Sequence, residues 1–374
     1  MILQLHHRYR HPGGEERAVA DLVWLIRTEL GEDAEALERE SDAVGRGRAA
    51  LGLLAGGLRP GEVADAVRRS GARVVHAHNV HPTLGWRALA AAREAGARVV
   101  LHLHNYRLVC AVGTCFTGGA DCTRCHGRDT RPGVRLNCRG SRAEALTYAA
   151  GLALQQRRLA GAADAIVVPS EFALNRLRAL GAPVDGARVL PSVQREIAER
   201  SRAGEGEYVL AAGRLAPEKA FADVVRAAKQ AGLPLVVAGD GPELPRLREL
   251  AGGDVRFTGR VPPDALAALR ASAAVAVVPS RYAEILPLAA LEAMAAGLPV
   301  VAARSGGLAG AVPPEGLYEP GDVSALAQRL QQLYGDAEAG ERALRLARER
   351  HAPNVIAATL RAIYDRNSQP PTVL

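Results

Sequence analysis

The strongest constraint on the fold is a repeated alternation of short apolar runs with helical stretches. Each run is rich in Val, Ala and Leu, ends at Gly, Asn or another polar turn residue, and is followed by a stretch rich in Ala, Leu and Arg. Continuous apolar strands that alternate with helices are typical of parallel sheets covered on both faces. The runs are residues 73–79, 98–105, 165–170, 208–214, 233–241, 274–280 and 298–304. The pattern predicts an α/β protein whose ligand sites lie at the carboxyl ends of the strands.

Chain length and one polar segment predict two domains. The 374 residues exceed what a single hydrophobic core usually supports. Residues 194–207 are polar and charged, and a new strand begins at Tyr208, so this segment is the best candidate linker. We expect an N-terminal domain over 1–193 and a C-terminal domain over 208–352. Residues 353–374 are expected to form a helix that crosses back to the first domain, followed by a frayed tail.

The composition is that of an ordinary globular protein, with 48% hydrophobic and 23% charged residues. No apolar run approaches the ~20 residues needed to span a bilayer, and the N-terminus begins as a strand rather than as a signal peptide. We therefore expect no transmembrane helix and a cytoplasmic location. The formal charge of +7 is compatible with nucleic acid, an anionic membrane face or a phosphorylated substrate, but the arginines are dispersed along helices, which favours a solvated basic surface.

The first candidate binding segment directly follows the predicted strand 208–214. Gly213 lets the backbone pass close to a ligand, Arg214 offers a planar guanidinium and Lys219 offers a compact charge. Together these groups suit a diphosphate. The alternative, an Arg and a Lys that are merely solvated in a loop between a strand and a helix, stays open at this point.

The second candidate segment carries two carboxylates separated by an apolar stretch. Glu284 and Glu292 are slightly over two helical turns apart, so they share a face if Glu284 lies at or just before a helix N-terminus. They could then accept hydrogen bonds from sugar hydroxyls, while the first turn, Leu286, Pro287 and Leu288, faces a phosphate. The alternative is a capping Glu284 and an unrelated Glu292, although buried carboxylates are rarely unpaired.

All five cysteines lie between positions 110 and 138. Cys122 and Cys125 have the C-x-x-C spacing of structural zinc sites, and Cys110 and Cys138 complete four thiolates. In a cytoplasmic protein this arrangement favours zinc over disulfides, with reduced free thiols as the main alternative. A four-thiolate site would be structural because no coordination position is left for a substrate. Cys115 or His126 could replace one of the four ligands.

The motifs occur in an order that resembles the donor half of family 4 of the retaining GT-B glycosyltransferases. The segments are GRLAPEK, VAGDGPEL, FTGRV, VVPSRYAEILPLAALEAMAAGLPVVA and SGG. In the N-terminal half, PGGEE, VVHAHN and VVLHLHNYRLVC are similar to the family's glycine loop and to two strand-end segments beside the acceptor. The resemblance covers essentially the whole chain. It implies the GT-B fold, in which two doubly wound Rossmann-like domains face a central cleft.

The resemblance also implies roles for individual residues. Arg214 and Lys219 would hold the diphosphate, Glu284 would bind the transferred sugar and Glu292 would bind the ribose. The remaining implied site residues are Gly13 and Gly14 beside the donor phosphates, Arg260 and Val261 beside the base, and His104 near the reacting carbon. Pro287 stands where many members have glycine; it lacks an N–H, so one backbone donor is missing and sugar selectivity cannot be carried over.

The function expected from the resemblance is retaining transfer of a sugar from a nucleotide-diphosphate sugar to an acceptor hydroxyl or amine. Aspartates spaced D-x-D are absent, so we expect no catalytic divalent metal and electrostatic stabilisation of the leaving diphosphate by Arg214, Lys219 and a helix N-terminus. The acceptor is expected to be a small molecule, a glycan or a glycolipid. Peripheral membrane contact, the donor base and sugar, and the oligomeric state stay open.

Two other functions remain to be compared. A GT-B sugar-nucleotide epimerase or hydrolase would use the same donor pocket without an acceptor. A zinc-containing nucleic-acid-binding protein is disfavoured because aromatic residues are only 4% of the chain and no basic tract flanks the cysteines. We therefore expect no nucleic-acid partner.

Overall fold

A computed structural model describes residues 1–9, 13–41, 43–253, 255–285 and 287–365. The chain forms two compact units. The first consists of Met1–Cys115, Cys122–Val193 and the segment that begins at Pro353, and the second consists of Phe116–Asp121 and Gln194–Ala352.

The strands and helices alternate along most of the chain, as the sequence pattern predicts. The strands are β1 (Ile2–Arg8), β2 (Ala34–Glu40), β3 (Val74–Ala77), β4 (Arg98–His102), β5 (Phe116–Thr117), β6 (Ala120–Asp121), β7 (Ala165–Val168), β8 (Arg188–Val189), β9 (Tyr208–Ala212), β10 (Leu235–Ala238), β11 (Val255–Gly259), β12 (Ala273–Val278), β13 (Val300–Ala303) and β14 (Leu317–Tyr318). The helices are α1 (Gly14–Leu25), α2 (Arg46–Ala55), α3 (Pro60–Ser70), α4 (Gly85–Glu94), α5 (Arg131–Arg135), α6 (Arg142–Gly161), α7 (Glu171–Ala179), α8 (Phe221–Ala231), α9 (Leu244–Ala251), α10 (Pro263–Ala271), α11 (Leu288–Ala295), α12 (Leu308–Ala311), α13 (Val323–Leu333), α14 (Ala337–His351) and α15 (Pro353–Tyr364).

Several helices begin at a residue whose side chain accepts a hydrogen bond from a backbone amide of the first turn. Ser141 and Ser170 cap α6 and α7 in this way, and Asp322 and Asp336 cap α13 and α14. Such caps satisfy an amide that the helix itself leaves unpaired, so local sequence fixes these helix starts.

The first unit is built on a parallel sheet with strand order β2-β1-β3-β4-β7-β8. Its strands are covered on both faces, and α15 returns to this core: Ile356, Leu360 and Tyr364 are buried in one cluster with Ile2 and Leu25. Because β2 lies on one side of β1 and β3 on the other, the chain reverses direction across the sheet at β1 and β3. The carboxyl ends of these two strands are where a doubly wound sheet binds ligands.

The second unit has its own parallel sheet, with strand order β11-β10-β9-β12-β13-β14. Here the order reverses between β9 and β12, which is the doubly wound arrangement that binds nucleotides at the reversal point. Residues 194–207, expected to be a linker, belong to this unit, and Ala203 within them is fully buried. The predicted fold class, two doubly wound α/β domains, is confirmed for both units.

Across the part of the chain that is described, no helix combines the length and the apolar character needed to cross a bilayer.

Candidate functional site

The reversal point of the second sheet brings together one cation and one carboxylate that the sequence assigned to the donor site. Lys219 follows β9 and Glu284 follows β12, and Lys219 Nζ donates to Glu284 Oε1 at 2.7 Å. Lys219 Nζ also lies 4.9 Å from the ring centroid of Tyr282. Burial alone would lower the pKa of Lys219, but Glu284 and Tyr282 outweigh it and the pKa is raised, so Lys219 stays cationic at neutral pH.

Glu284 is held in place from several directions. It is only 4% exposed, and Ser280 donates to the same Oε1 that accepts from Lys219. Gly306 packs against its backbone: the residue has φ +55°, and a Cβ there would lie 2.4 Å from the Glu284 nitrogen. Gly307 N donates to the Glu284 carbonyl at 2.6 Å. The S-G-G motif is therefore a close backbone support for this carboxylate, which only glycine permits at position 306.

A second ion pair joins the loop after β12 to α8 and was not predicted from the sequence. Arg281 makes a bidentate contact with the buried Asp223 of α8, with N–O distances of 2.7 to 3.0 Å. The Arg281 backbone amide also donates to the carbonyl of Glu218, the neighbour of Lys219, at 3.0 Å. Bidentate Arg–carboxylate pairs fix geometry. The signal was present in the sequence, since Arg281 lies in the S-R-Y-A-E segment between Ser280 and Glu284.

The other predicted donor residues have separate surroundings. Arg214 is 62% exposed on its side chain and donates to Glu218 at 2.5 Å. Glu292 lies within α11 and accepts from Arg270, so the two glutamates have different partners, and Glu284 precedes the helix. Arg260 is exposed and Val261 packs on the apolar core.

The start of α11 contains Pro287, which stands where many members of the family have glycine. Pro287 is the N-cap residue and Leu288 is the first helical residue. Leu286 lies outside the described residues. Since Pro287 has no N–H, the free amides of this helix end come from positions after it.

The first unit carries a layer of imidazoles at the carboxyl ends of β3 and β4, in which His76, His78 and His102 are buried and His104 is half-buried. His104, the predicted active-site histidine, is part of it: His78 Nδ1 lies 2.8 Å from His104 Nε2, and His102 stacks on His104 with ring centroids 3.8 Å apart. His76 stacks on His78 at 4.7 Å and lies 3.3 Å from His102 by their nearest nitrogens. Of these four histidines, only His104 was predicted from the sequence to be a site residue.

These histidines are neutral at physiological pH because burial penalises the imidazolium. Burial lowers the pKa of His76 to about 3, and burial together with neighbouring histidines lowers that of His104 to about 3. The pKa of His78 and of His102 is also lowered well below its ordinary value for the same reason. The layer can therefore offer hydrogen-bond donors and acceptors, but no positive charge.

The glycine loop leads into α1. Gly13 is the N-cap residue of α1 and Gly14 its first residue, and Glu16 caps the helix by accepting from Gly13 N at 2.7 Å. Beside them, Glu15 Oε2 accepts from the Tyr9 hydroxyl at 3.1 Å and from Asn105 Nδ2 at 3.3 Å. Burial raises the pKa of Glu15. This carboxyl is a further candidate site group, signalled only by its place next to the two glycines.

The five cysteines are free thiols and all lie within the described residues. Cys115 and backbone amides lower the pKa of Cys110 to about 6, and amides of Ala111 and Gly133 face the Cys125 sulfur. In the described part of the chain, the one group of three or more His, Cys, Asp or Glu side chains with ligand atoms within 4.8 Å of one another is His76, His78 and His102. No three of the five sulfurs therefore lie within 4.8 Å of one another.

Comparison with known proteins identifies the family. Residues 3–192 match the family model described as glycosyl transferase 4-like domain, and residues 206–336 match the one described as glycosyl transferases group 1. The first match spans half of the chain. The protein belongs to the GT4-type glycosyltransferases, which confirms the resemblance seen in its motifs.

Curated relatives match over part of their length. The sulfoquinovosyl transferase of Arabidopsis thaliana is 36% identical over 217 residues, which cover 52% of this chain and 42% of that protein. The 2-deoxystreptamine N-acetyl-D-glucosaminyltransferase of Streptomyces fradiae is 40% identical over 141 residues, covering 34% of this chain and 33% of that protein. The chain thus spans less than half the length of these relatives.

Solved structures match over nearly the whole chain. Sucrose-phosphate synthase from Thermosynechococcus elongatus has a TM-score of 0.70 at 18% identity and covers 97% of this chain and 98% of its own. HepE from Anabaena in complex with UDP has a TM-score of 0.63 at 18% identity and covers 96% and 98%. At this identity the likeness concerns the fold.

Proposed function

We propose that the protein is a retaining glycosyltransferase that moves a sugar from a nucleotide-diphosphate sugar to an acceptor hydroxyl or amine. The observation that carries the proposal is the Lys219–Glu284 pair at the reversal point of the second sheet, in a chain that belongs to the GT4 type. A doubly wound sheet binds nucleotides at this point, and the pair offers a cation for phosphate and a carboxylate for hydroxyls.

The residues divide the donor between them. Lys219 and Arg214 bind the diphosphate, Glu284 binds the transferred sugar and Glu292 binds the ribose. As the bond to the anomeric carbon breaks, negative charge grows on the diphosphate, and Lys219 lowers the energy of that state because its charge is already in place. Before the donor binds, the ion pair holds both side chains in position. When the donor binds, Lys219 leaves Glu284 and binds phosphate oxygens instead.

Gly13 and Gly14 approach the phosphates through their backbone, and Arg260 with Val261 flanks the base. We further propose that His104 lies near the reacting carbon and that the reaction needs no divalent metal, because cationic side chains supply the electrostatic stabilisation. Leu288 supplies a backbone amide at the start of α11, where negative groups are favoured.

The acceptor class is proposed from the relatives and from one surface. Matched relatives include an enzyme named for a phosphatidylinositol mannoside acceptor and one named for 2-deoxystreptamine. Helices α2 and α6 pack against each other and carry exposed leucines. These side chains would suit peripheral contact with a membrane that holds a glycolipid acceptor. These leucines are Leu51, Leu54, Leu146 and Leu154.

A screen of nucleotide sugars tests the proposal. Thermal unfolding is measured with UDP, GDP, ADP and dTDP sugars, and a ligand at a hundred times its Kd should stabilise the protein by ~2.7 kcal/mol. The stabilising donor is then incubated with candidate acceptors, and the anomeric configuration of the product is read by NMR. Rapid turnover without acceptor would indicate an epimerase or hydrolase instead, and failure of every donor to bind would contradict the assignment.

Zinc binding by Cys110, Cys122, Cys125 and Cys138 is a separate proposal. The C-x-x-C spacing and the backbone amides that face two of the sulfurs support it. Because no three of the sulfurs lie within 4.8 Å of one another, the loop would have to rearrange to bring four of them to one ion. Protein purified without added zinc should contain about one zinc atom per chain, and Cys122→Ser with Cys125→Ser should lose it and become protease-sensitive in this loop. A metal-free and fully active preparation would refute zinc and leave the transferase proposal intact.

A further inference from the structure

His104 is connected by hydrogen bonds to two buried side chains that lie behind it. Its Nε2 lies 2.8 Å from His78 Nδ1, and His78 Nε2 lies 2.7 Å from Gln4 Oε1. Gln4 is fully buried and His78 is 2% exposed. Since an amide oxygen can only accept a hydrogen bond, the proton between His78 and Gln4 belongs to His78 Nε2.

The position of the proton on His78 also determines which ring nitrogen donates in the hydrogen bond between His78 and His104. A neutral imidazole carries one N–H, so a proton on His78 Nε2 leaves Nδ1 as an acceptor. His78 is neutral because it is buried among other imidazoles: His76 stacks on it, and His6, His102 and His104 surround it. The hydrogen bond at 2.8 Å therefore requires that His104 Nε2 donates. The one proton of His104 is then used, and its Nδ1 keeps a free lone pair.

We propose that Gln4 and His78 are positioning residues that fix His104 as the Nε2–H tautomer, so that His104 Nδ1 accepts a hydrogen bond from a substrate hydroxyl. The inference rests on the proposed function, since it places a substrate beside His104. A neutral acceptor nitrogen can accept a hydrogen bond from a hydroxyl group, but it has no positive charge to pair with a carboxylate or sulfonate. The geometry therefore points to a neutral, hydroxyl-bearing sugar or acceptor at this position.

The arrangement does not suit a metal ion, although three of these histidines lie within 4.8 Å of one another by their ligand atoms. The rings of His76 and His78 are stacked with an interplanar angle of 3°. Ring-nitrogen lone pairs lie in the ring plane, so two parallel stacked rings cannot both point at one ion. Both nitrogens of His78 are also already used, by Gln4 and by His104.

The tautomer can be read directly. Full-length protein is labelled with ¹⁵N-histidine, and the ring nitrogens are observed at neutral pH by long-range proton–nitrogen correlation. His104 signals are assigned as those lost in His104→Asn. The expected result is a protonated Nε2 and an unprotonated Nδ1. An Nδ1–H form would mean that the Gln4 amide nitrogen faces His78, and it would overturn the proposal, as would a doubly protonated ring.

Two variants test whether Gln4 sets the tautomer. Gln4→Met keeps the side-chain length but removes the acceptor, so His104 should become a mixture of tautomers. kcat should fall by about three- to tenfold, the effect of losing one neutral hydrogen bond, with the donor KM unchanged within about twofold. Ser41→Ala is the control, because it removes a hydroxyl that contacts another imidazole of the same unit, His7, and has no part in the path from Gln4 to His104.

A wild-type tautomer in Gln4→Met, or an equal change in Ser41→Ala, would refute the role of Gln4. If Gln4→Met does not fold, the measurement on the unaltered protein still decides the tautomer. The spectroscopic result does not depend on turnover, so a protein with the expected tautomer that transfers no sugar would contradict only the proposed function.

Discussion

The two units have similar sheets but differ in the side chains that follow two neighbouring strands. In the second unit the loops after β9 and β12 carry full charges, with Lys219 paired to Glu284 and Arg281 paired to Asp223. In the first unit the ends of β3 and β4 carry imidazoles that burial keeps neutral, among them His78 and His104. One fold thus supports two kinds of site, because function lies in the side chains at the strand ends. A charged site suits a diphosphate, and a neutral one suits hydroxyl groups.

The largest effect is expected from acid, which should destabilise the first unit more than the second. An imidazole whose folded pKa is depressed contributes stability that is fully present above pH 6.5 and is lost as the pH falls toward the folded pKa. His76 and His104, with pKa about 3, and His7 and His81, with pKa about 4, all belong to the first unit. Each favours opening by close to tenfold per pH unit below 6.5, about thirtyfold at pH 5, so any two of them together should already exceed a hundredfold.

Amide hydrogen exchange at pH 7.5 and pH 5, corrected for intrinsic exchange rates, measures the loss of stability in each unit. Protection in β1, β3 and β4 should fall far more than in β9 and β12. Equal loss in both units would show that the imidazole layer does not control acid stability, and the contrast between the two sites would be lost.

The next largest effect concerns the charged site and the sugar it binds. Glu284→Gln should lower kcat by roughly a hundredfold, because it removes an interaction expressed mainly in the transition state. Affinity for the bare nucleoside diphosphate should stay the same or rise, since Lys219 loses its competing partner. Initial rates and calorimetry measure both quantities, with the exposed Glu249→Gln as control. A large loss of diphosphate affinity would contradict the assignment of Glu284 to the sugar.

Phosphate binding should weaken by a smaller factor. Lys219→Ala should reduce nucleoside-diphosphate affinity roughly tenfold or more, since a hydrogen bond to a charged group is worth ~1.5–3 kcal/mol. Arg214→Ala should act in the same direction but less strongly, because its side chain is 62% exposed and more screened. Calorimetry at two salt concentrations checks the order, and the exposed Lys229→Ala serves as control. Unchanged affinity in both variants would remove the donor-site assignment.

The smallest effect is expected at Glu292. Glu292→Gln should weaken the bare diphosphate and the sugar donor alike, by several-fold, because ribose is common to both ligands and the loss is shared by ground and transition states. kcat should change little. Arg270→Gln should have a similar effect, since Arg270 donates to the Glu292 carboxylate. If Glu292→Gln lowered kcat while sparing diphosphate binding, the roles of the two glutamates would be reversed.

The sequence alone determined the architecture and the donor motifs. Alternating apolar strands and helices predict parallel sheets because that pattern reflects burial on both faces, and burial is a local property of each segment. The family resemblance followed from contiguous motifs. The individual roles of Arg214, Lys219, Glu284 and Glu292 remain predictions, although the structure brings Lys219 and Glu284 together.

Only the tertiary structure decided which distant side chains meet. The imidazole layer had a local signal, H-x-H in VVHAHN and in VVLHLHN, which places both histidines of each strand on one face. The clustering depends on strand register: β1 pairs Gln4 with His76, and β3 pairs His76 with Val100. A shift of one residue would turn these side chains to the other face of the sheet. Register is a property of the assembled sheet, so the contacts of His78 with His104 and with Gln4 could not be deduced from any single segment.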